Sequence, residues 1–387
     1  MMLPNGWKKS KIGETCSLLS GQDFPPNLYG NEEKGMPYIT GASNFAGNHI
    51  ILNRWTEHPK NIAKKGDILL VCKGSGFGIT AIADFEKAHI ARQVMALQKL
   101  NGVDRDFLYQ VVSMNVRNIK QKGCGLIPGI DRKTVLNIEY LLPPIEEQKK
   151  IAATLSVWDS AIEKMEKLIE AKESLLTEYG KELFGRTEQK QNENWSTIAL
   201  SEVLNEHGHK STGEEEVFSV SVHKGLVNQI EHLGRSFAAK DTSNYNRVHY
   251  GDIVYTKSPT GYFPLGIVKQ SLIKEDVIVS PLYGVFTPQT FELGSILDFY
   301  FSSPINANNY LHPVAQKGAK NTINITNKKF LSAKLRLPID VKEQKKIAQF
   351  VQTTKKEMAV LQDILENYKK QKQGLMQKLL TGQWRVK

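Results

Sequence analysis

Glu147-Gln148-Lys149-Lys150-Ile151-Ala152 and Glu343-Gln344-Lys345-Lys346-Ile347-Ala348 are the same six residues, 196 positions apart. Each copy follows a proline stop, Leu142-Pro143-Pro144 or Leu337-Pro338, and opens a run with apolar residues alternately four and three apart. The first run carries Ile151, Leu155, Trp158, Ile162, Met165, Ile169, Leu176, Tyr179 and Leu183. Adding 196 gives Ile347, Val351, Thr354, Met358, Leu361, Leu365, Lys372, Leu375 and Leu379, of which only Thr354 and Lys372 are not apolar. A 4-3 spacing held over several heptads, with proline before and glycine after (Gly185, Gly382), predicts two matched helices with coiled-coil seams.

A single apolar stripe reads first as one face of a helix packed in a globule. Duplication in register changes this, because each seam needs a partner and the other copy is the nearest of equal length. Residues 146–188 hold 7 Lys/Arg against 10 Asp/Glu, and residues 342–387 hold 11 against 4, so the two helices attract. About 39 residues at ~1.5 Å each make a rod on the order of 55–60 Å long.

The length of 387 residues and 40 % apolar content allow two to three domains with real cores. Cys16, Cys72 and Cys124 are far apart and lack zinc-ligand spacing, and no apolar run is long enough for a membrane span. A cytoplasmic protein without a membrane partner is expected. The net charge of +11 points to a polyanion, with nucleic acid favoured because the basic residues are spread through strand-and-turn sequence rather than gathered on one amphipathic helix.

Four segments follow in order: 1–142, a mixed globule; 143–188, the first helix; 189–337, a second globule; and 338–387, the second helix. In the first globule, strands are expected at Asp67–Cys72, Ile79–Ala83, Val94–Leu97 and Val135–Leu142, with helical spacing over Phe107–Asn118. The second globule repeats this plan with little identity. Gly251-Asp252-Ile253 matches Gly66-Asp67-Ile68, Ser201-Glu202 falls where Gly13-Glu14 fell, and Gln316-Lys317-Gly318 matches Gln121-Lys122-Gly123. The fold class expected is α+β: two similar mixed globules and two long helices paired as an antiparallel coiled coil, forming a pseudo-twofold repeat.

Signals for catalysis are weak. Gly74-Ser75-Gly76-Phe77-Gly78 follows a strand but leads into another strand, which reads as a hairpin turn rather than a cradle for phosphate or S-adenosylmethionine. Asp23-Phe24-Pro25-Pro26 has the letters of an amino-methyltransferase motif in the wrong order, and His207-Gly208-His209 is the only close histidine pair and reads as a loop. For DNA contact the useful residues are basic and small polar ones on turns. They are Lys73, Ser75, Arg92, Lys122 and Arg132 in the first globule, and Lys257, Thr260, Tyr262, Lys317, Lys320 and Asn321 in the second. Each alone reads as solvated surface; their recurrence at equivalent places raises the group. The residues expected to pair the helices or dock a partner are Gln148, Ile151, Leu155, Trp158, Ile162, Gln344, Ile347, Val351, Met358 and Leu361.

The chain resembles the specificity subunit of type I restriction-modification systems over essentially its whole length. The resemblance rests on Leu142-Pro143-Pro144-Ile145-Glu146-Glu147-Gln148, its counterpart Leu337-Pro338-Ile339-Asp340-Val341-Lys342-Glu343-Gln344, Gly-Asp-Ile at 66 and 251, and the ending Leu379-Leu380-Thr381-Gly382-Gln383-Trp384-Arg385-Val386. The second start has one extra residue before the Glu-Gln. The resemblance implies a non-catalytic subunit in which each globule is a target recognition domain for half of a bipartite site on double-stranded DNA. It further implies an antiparallel helical spacer and docking of two modification (methyltransferase) subunits, with a restriction subunit open as a further partner. No cofactor is expected on this chain, since S-adenosylmethionine and ATP belong to the partners. The rival readings are a stand-alone S-adenosylmethionine-dependent DNA methyltransferase and a coiled-coil adaptor that binds no DNA.

Overall fold

The structure is a computed structural model that describes residues 3–47, 49–74, 76–121, 129–185, 194–230, 241–317 and 323–386. Both repeated motifs begin 40-residue helices, Ile145–Phe184 and Val341–Leu380, which stop just before Gly185 and Gly382. The chain forms two compact units, residues 1–168 with 361–387 and residues 169–360, so each unit holds one globule with half of each long helix. Compactness thus divides the chain in mid-helix, whereas the sequence reading drew boundaries at the helix ends.

In the first unit, Lys8–Lys11 pairs antiparallel with Glu139–Leu142, closing the globule just before the proline stop. A four-stranded antiparallel sheet runs in the order Ser17–Ser20, Val94–Gln98, Ile68–Val71, Thr80–Ile82. Ile68–Val71 is fully buried, as an apolar run with turn residues at both ends predicts. Arg105–Gln121 is capped by Asp104, whose carboxylate accepts the Phe107 N–H at 3.0 Å. It buries Phe107, Leu108, Val111, Val112 and Val116, and Ile151, Leu155, Met376, Leu379 and Leu380 of the long helices join the same core.

Val135–Leu142 is not one strand. The Asp131 carboxylate accepts the Thr134 N–H at 2.7 Å and starts a short helix, Arg132–Leu136, so only Glu139–Leu142 is extended. The local cap outweighs the β-branched pattern.

The second unit repeats the topology. Trp195–Ala199 pairs with Lys334–Pro338, and the four-stranded sheet runs Leu204–Asn205, Gly284–Pro288, Ile253–Thr256, Ile267–Gln270, the same order as in the first unit. Even the first turn matches: Glu14 accepts the Lys11 N–H at 3.0 Å and Glu202 the Ala199 N–H at 2.9 Å. Phe291–Phe301 occupies the place of Arg105–Gln121 and is capped by Thr290. The core is aromatic, with Phe330 stacked between Tyr255 and Phe286 at centroid distances of 4.7 and 5.2 Å.

Within each unit the long helices lie antiparallel. In the first, Trp158 meets Tyr368 edge-on at 5.6 Å, Glu166 meets Lys369 at 3.0 Å, and Asp159 pairs with Lys372. In the second, Lys172 meets Glu357 at 2.6 Å and Tyr179 meets Phe350 at 4.5 Å between centroids. As residue numbers rise on one helix they fall on the other. Lys372, a polar residue at a seam position, is explained by Asp159, which also accepts from Gln110 at 2.8 Å. Among the described residues, no helix is long and apolar enough to cross a membrane.

The glutamines of the repeated motif do not face the opposite helix. Gln148 donates to the Pro143 carbonyl at 2.8 Å and accepts the Asp104 N–H at 2.7 Å. Gln344 donates to the Pro338 carbonyl at 2.9 Å and accepts the Thr290 hydroxyl at 2.7 Å. Each amide ties the proline stop to the N-cap of its own globule's helix, which corrects their assignment as helix-pairing residues. The extra residue before the second motif is absorbed, because both amides still reach the equivalent proline carbonyl. Gln148→Leu is expected to destabilise the chain by about 1–3 kcal/mol, because the Asp104 N–H and Pro143 carbonyl lose their buried partner. A urea denaturation midpoint that moves by less than the equivalent of ~0.5 kcal/mol would show that the clamp contributes nothing.

Candidate nucleic-acid interface

In the first unit the glycine-rich segment is the tip of the hairpin joining Ile68–Val71 to Thr80–Ile82. Its Gly78 N–H donates to the Val71 carbonyl at 2.9 Å, and the Phe77 ring is anchored in the core. A Cβ on Gly76 would lie 2.1 Å from the Ala42 Cβ, so glycine lets the tip close onto the Ala42–Asn44 turn. That turn is organised by Asn44, fully buried, whose side-chain oxygen accepts the Thr40 and Gly41 N–H groups and whose amide donates to the Ile51 carbonyl. Nothing in the sequence singled out Asn44; the close-packed Gly41 and Gly76 were the available signal.

The register Val94↔Val71, continued by the Cys72 N–H donating to the Gln93 carbonyl at 2.8 Å, sets Arg92 across from Lys73. Both side chains are exposed. Arg92 is oriented by Asp23, which receives its Nε at 2.6 Å and its backbone N–H at 3.0 Å. Arg132 is further from a free cation, since its guanidinium donates to the Leu18 carbonyl. Ser75 and Lys122 lie outside the described residues.

In the second unit the equivalent tip joins Ile253–Thr256 to Ile267–Gln270. Thr260 and Phe263 exchange backbone hydrogen bonds at 3.1 and 2.8 Å, while Phe263 and Leu265 are buried beneath. Gly266, at φ +103, ends the tip where a Cβ would sit 1.9 Å from the Thr256 carbonyl oxygen. This places Thr260 on the surface and leaves Tyr262 86 % exposed. Lys257 is half-buried, and burial lowers its ammonium pKa against the opposing pull of Glu206. Lys320, Asn321 and the Lys317 side chain lie outside the described residues. The two tips occur at the same topological position and carry unlike residues.

The apolar pairing residues behave differently along the rod. Ile151 and Leu155 share a core with Met376, Leu379 and Leu380, and Ile347 and Val351 share one with Leu176 and Leu183, so these four serve seam and globule together. Trp158 meets Tyr368 of the opposite helix edge-on and, like Ile162, Met358 and Leu361, is half-buried. Glu147 was not anticipated. Burial opposes its ionisation, but hydrogen bonds from Arg385 at 2.6 and 2.7 Å and from Trp7 at 3.0 Å hold its carboxyl below the usual range, fastening the C-terminal segment to the first strand. Lys149, Lys150, Lys345 and Lys346 are all exposed in the first helical turns.

Two globules of one topology, each with an exposed polar hairpin tip and each rooted on antiparallel helices, define a duplicated recognition protein. Residues 4–173 match the family model of the type I restriction modification DNA specificity domain. The chain is 26 % identical to the specificity subunit of the type I restriction enzyme MjaVIII from Methanocaldococcus jannaschii, in an alignment covering 100 % of this chain and 95 % of that one. Among solved structures it resembles a type I restriction-modification S subunit from M. genitalium, with a TM-score of 0.63 at 18 % identity over 98 % of both chains. A second likeness, TM-score 0.53 at 15 % identity over 98 % of this chain and 99 % of the other, is to a structure reported for complex assembly and conformational transition of the type I R-M system. Residues 4–173 thus carry the type I restriction modification DNA specificity domain, and over its full length the chain is similar to type I specificity subunits. A role in DNA recognition follows from these likenesses.

Proposed function

We propose that the two globules read the two unlike halves of an asymmetric, bipartite site on double-stranded DNA, each through its hairpin tip. The observation that carries this reading is one strand order with two different tips: Lys73 and Arg92 beside a glycine turn in one, and Lys257, Thr260 and Tyr262 in the other. Positive side chains supply phosphate contacts, and small polar and aromatic groups reach base edges. Two antiparallel 40-residue helices, ~60 Å long, would then set the separation of the half-sites at roughly one DNA turn or somewhat more. The exposed faces of those helices are the surfaces on which two modification subunits would dock, bringing S-adenosylmethionine, while ATP-dependent cleavage would come with a restriction subunit. The setting is cytoplasmic DNA.

Methylome sequencing of a host carrying this chain with its modification partner, against one lacking the chain, tests the proposal. The expected result is one interrupted, asymmetric motif methylated only when the chain is present. An uninterrupted motif, or methylation independent of the chain, would overturn it. The rival methyltransferase reading requires the purified chain alone to bind S-adenosylmethionine, and the adaptor reading requires that it confer no DNA binding on the assembled complex.

A further inference from the structure

The sequence shows only the pair His207 and His209, but the fold brings a third histidine to them from forty residues away. One potential ligand nitrogen from each of His207, His209 and His249 lies within 4.8 Å of the other two. Gly208, at φ +68, bends the chain so that the rings of His207 and His209 approach to 4.3 Å between centroids. The third ring is delivered by backbone pairing: the Arg247 N–H donates to the His209 carbonyl at 2.9 Å and the Ser211 N–H to that of Tyr245 at 3.0 Å.

We propose that these three histidines form a binding site for one divalent transition-metal ion of the zinc type. Metal-bound imidazoles characteristically hold their second nitrogen on a carboxylate or carbonyl, which sets the tautomer and aims the free lone pair. Two of the three do so here. His207 Nε2 bonds to Asp252 at 3.0 Å and His249 Nδ1 to Asp276 at 2.8 Å. The opposite nitrogens face inward: His249 Nε2 lies 2.9 Å from His209 Nδ1, and His207 Nδ1 accepts the His209 backbone N–H at 3.1 Å, a hydrogen bond that the metal would replace. Two nitrogens on a tetrahedral zinc sit about 3.3 Å apart, so His209 has to retreat by a few tenths of an ångström, and its side chain is exposed and able to move. Charge also favours a dication. Within the bonded set Asp252, Asp276 and Glu215 carry three negative charges against the single positive charge of Arg247.

The turn itself does not require the histidines. In the first unit Asp67 accepts the Lys64 N–H at 2.8 Å, just as Asp252 accepts the His249 N–H at 2.8 Å, with lysine at the position of His249. The cluster is therefore an addition to the second globule, where three nitrogen ligands and an exposed side toward solvent leave a fourth position for water.

The test uses the full untagged chain, stripped with a chelator, desalted, and titrated with zinc against a chromophoric competitor, with cobalt(II) as a spectroscopic probe of tetrahedral geometry. About one zinc per chain is expected. His209→Ala, an exposed position, should lower the affinity at least 100-fold, and Asp276→Asn, which removes only an orienting carboxylate, by about 10–100-fold. His223→Ala, an exposed histidine outside the cluster, should change nothing. Far-UV circular dichroism confirms that each variant is folded. Failure of the folded wild type to bind zinc stoichiometrically, or an unchanged affinity in folded His209→Ala, overturns the proposal and leaves the three rings as a hydrogen-bonded network.

Discussion

Replacing residues 1–142 by the corresponding block of another specificity subunit is expected to change one half of the methylated sequence completely and leave the other half unaltered. The physical ground is where the cut falls. Lys8–Lys11 and Glu139–Leu142 close the first globule on itself, so a junction at 142/143 keeps both strands of that pair within the exchanged block. What remains behind is the mounting: Gln148 to clamp the incoming helix cap, Glu147 with Arg385, and the apolar surface of Ile151, Leu155, Met376 and Leu379. The tip in the second globule belongs to the other compact unit and is untouched. Tip contacts at each base pair carry about 1–3 kcal/mol of discrimination, so several changed together abolish recognition of the original half-site. Methylome sequencing reads both halves at once. A swap that alters both halves, or neither, would show that the globules do not read independently.

The parts legible in the sequence were those written in local periodicity. The 4-3 spacing from Ile151 and Ile347, with Pro143 and Pro338 before and Gly185 and Gly382 after, bracketed both helices, which run Ile145–Phe184 and Val341–Leu380 inside the expected 143–188 and 338–387 segments. Gly-Asp-Ile at 66 and 251 marked equivalent strands because the aspartate caps the turn in each globule, accepting the N–H three residues back. Contacts between distant segments left no such mark. Gln148 looks like any polar residue in a first helical turn, and only the folded chain shows that its amide joins Asp104 to Pro143. His249 stands alone in the sequence, forty residues from the pair it joins. The DNA-contact candidates were legible as positions and not as roles: Lys73 and Tyr262 are exposed on tips, while Arg132 is engaged with the Leu18 carbonyl.

Removing one heptad from each long helix, 163–169 together with 359–365, is expected to shorten the spacer in the recognised sequence by about three base pairs. Seven residues at ~1.5 Å make ~10 Å, and ~10 Å of duplex at ~3.4 Å per base pair is about three pairs. The deletion is placed so that the specific seam contacts survive: Trp158 with Tyr368, Asp159 with Lys372, Lys172 with Glu357 and Tyr179 with Phe350 all lie outside it, and of the ion pairs between the helices only Glu166–Lys369 is lost. A whole heptad also keeps the seam facing inward, since it departs from full helical turns by only ~20°. The DNA is less forgiving, because three base pairs turn the duplex by roughly 100° at about 10 to 10.5 pairs per turn. The shortened chain should therefore prefer the shorter spacer but bind it more weakly than the original chain binds its own. Deleting only one of the two segments should prevent the seam from closing and lose assembly altogether. Assembly of the double-deletion variant with modification of the original spacer retained would show that the helices are a scaffold and not a ruler.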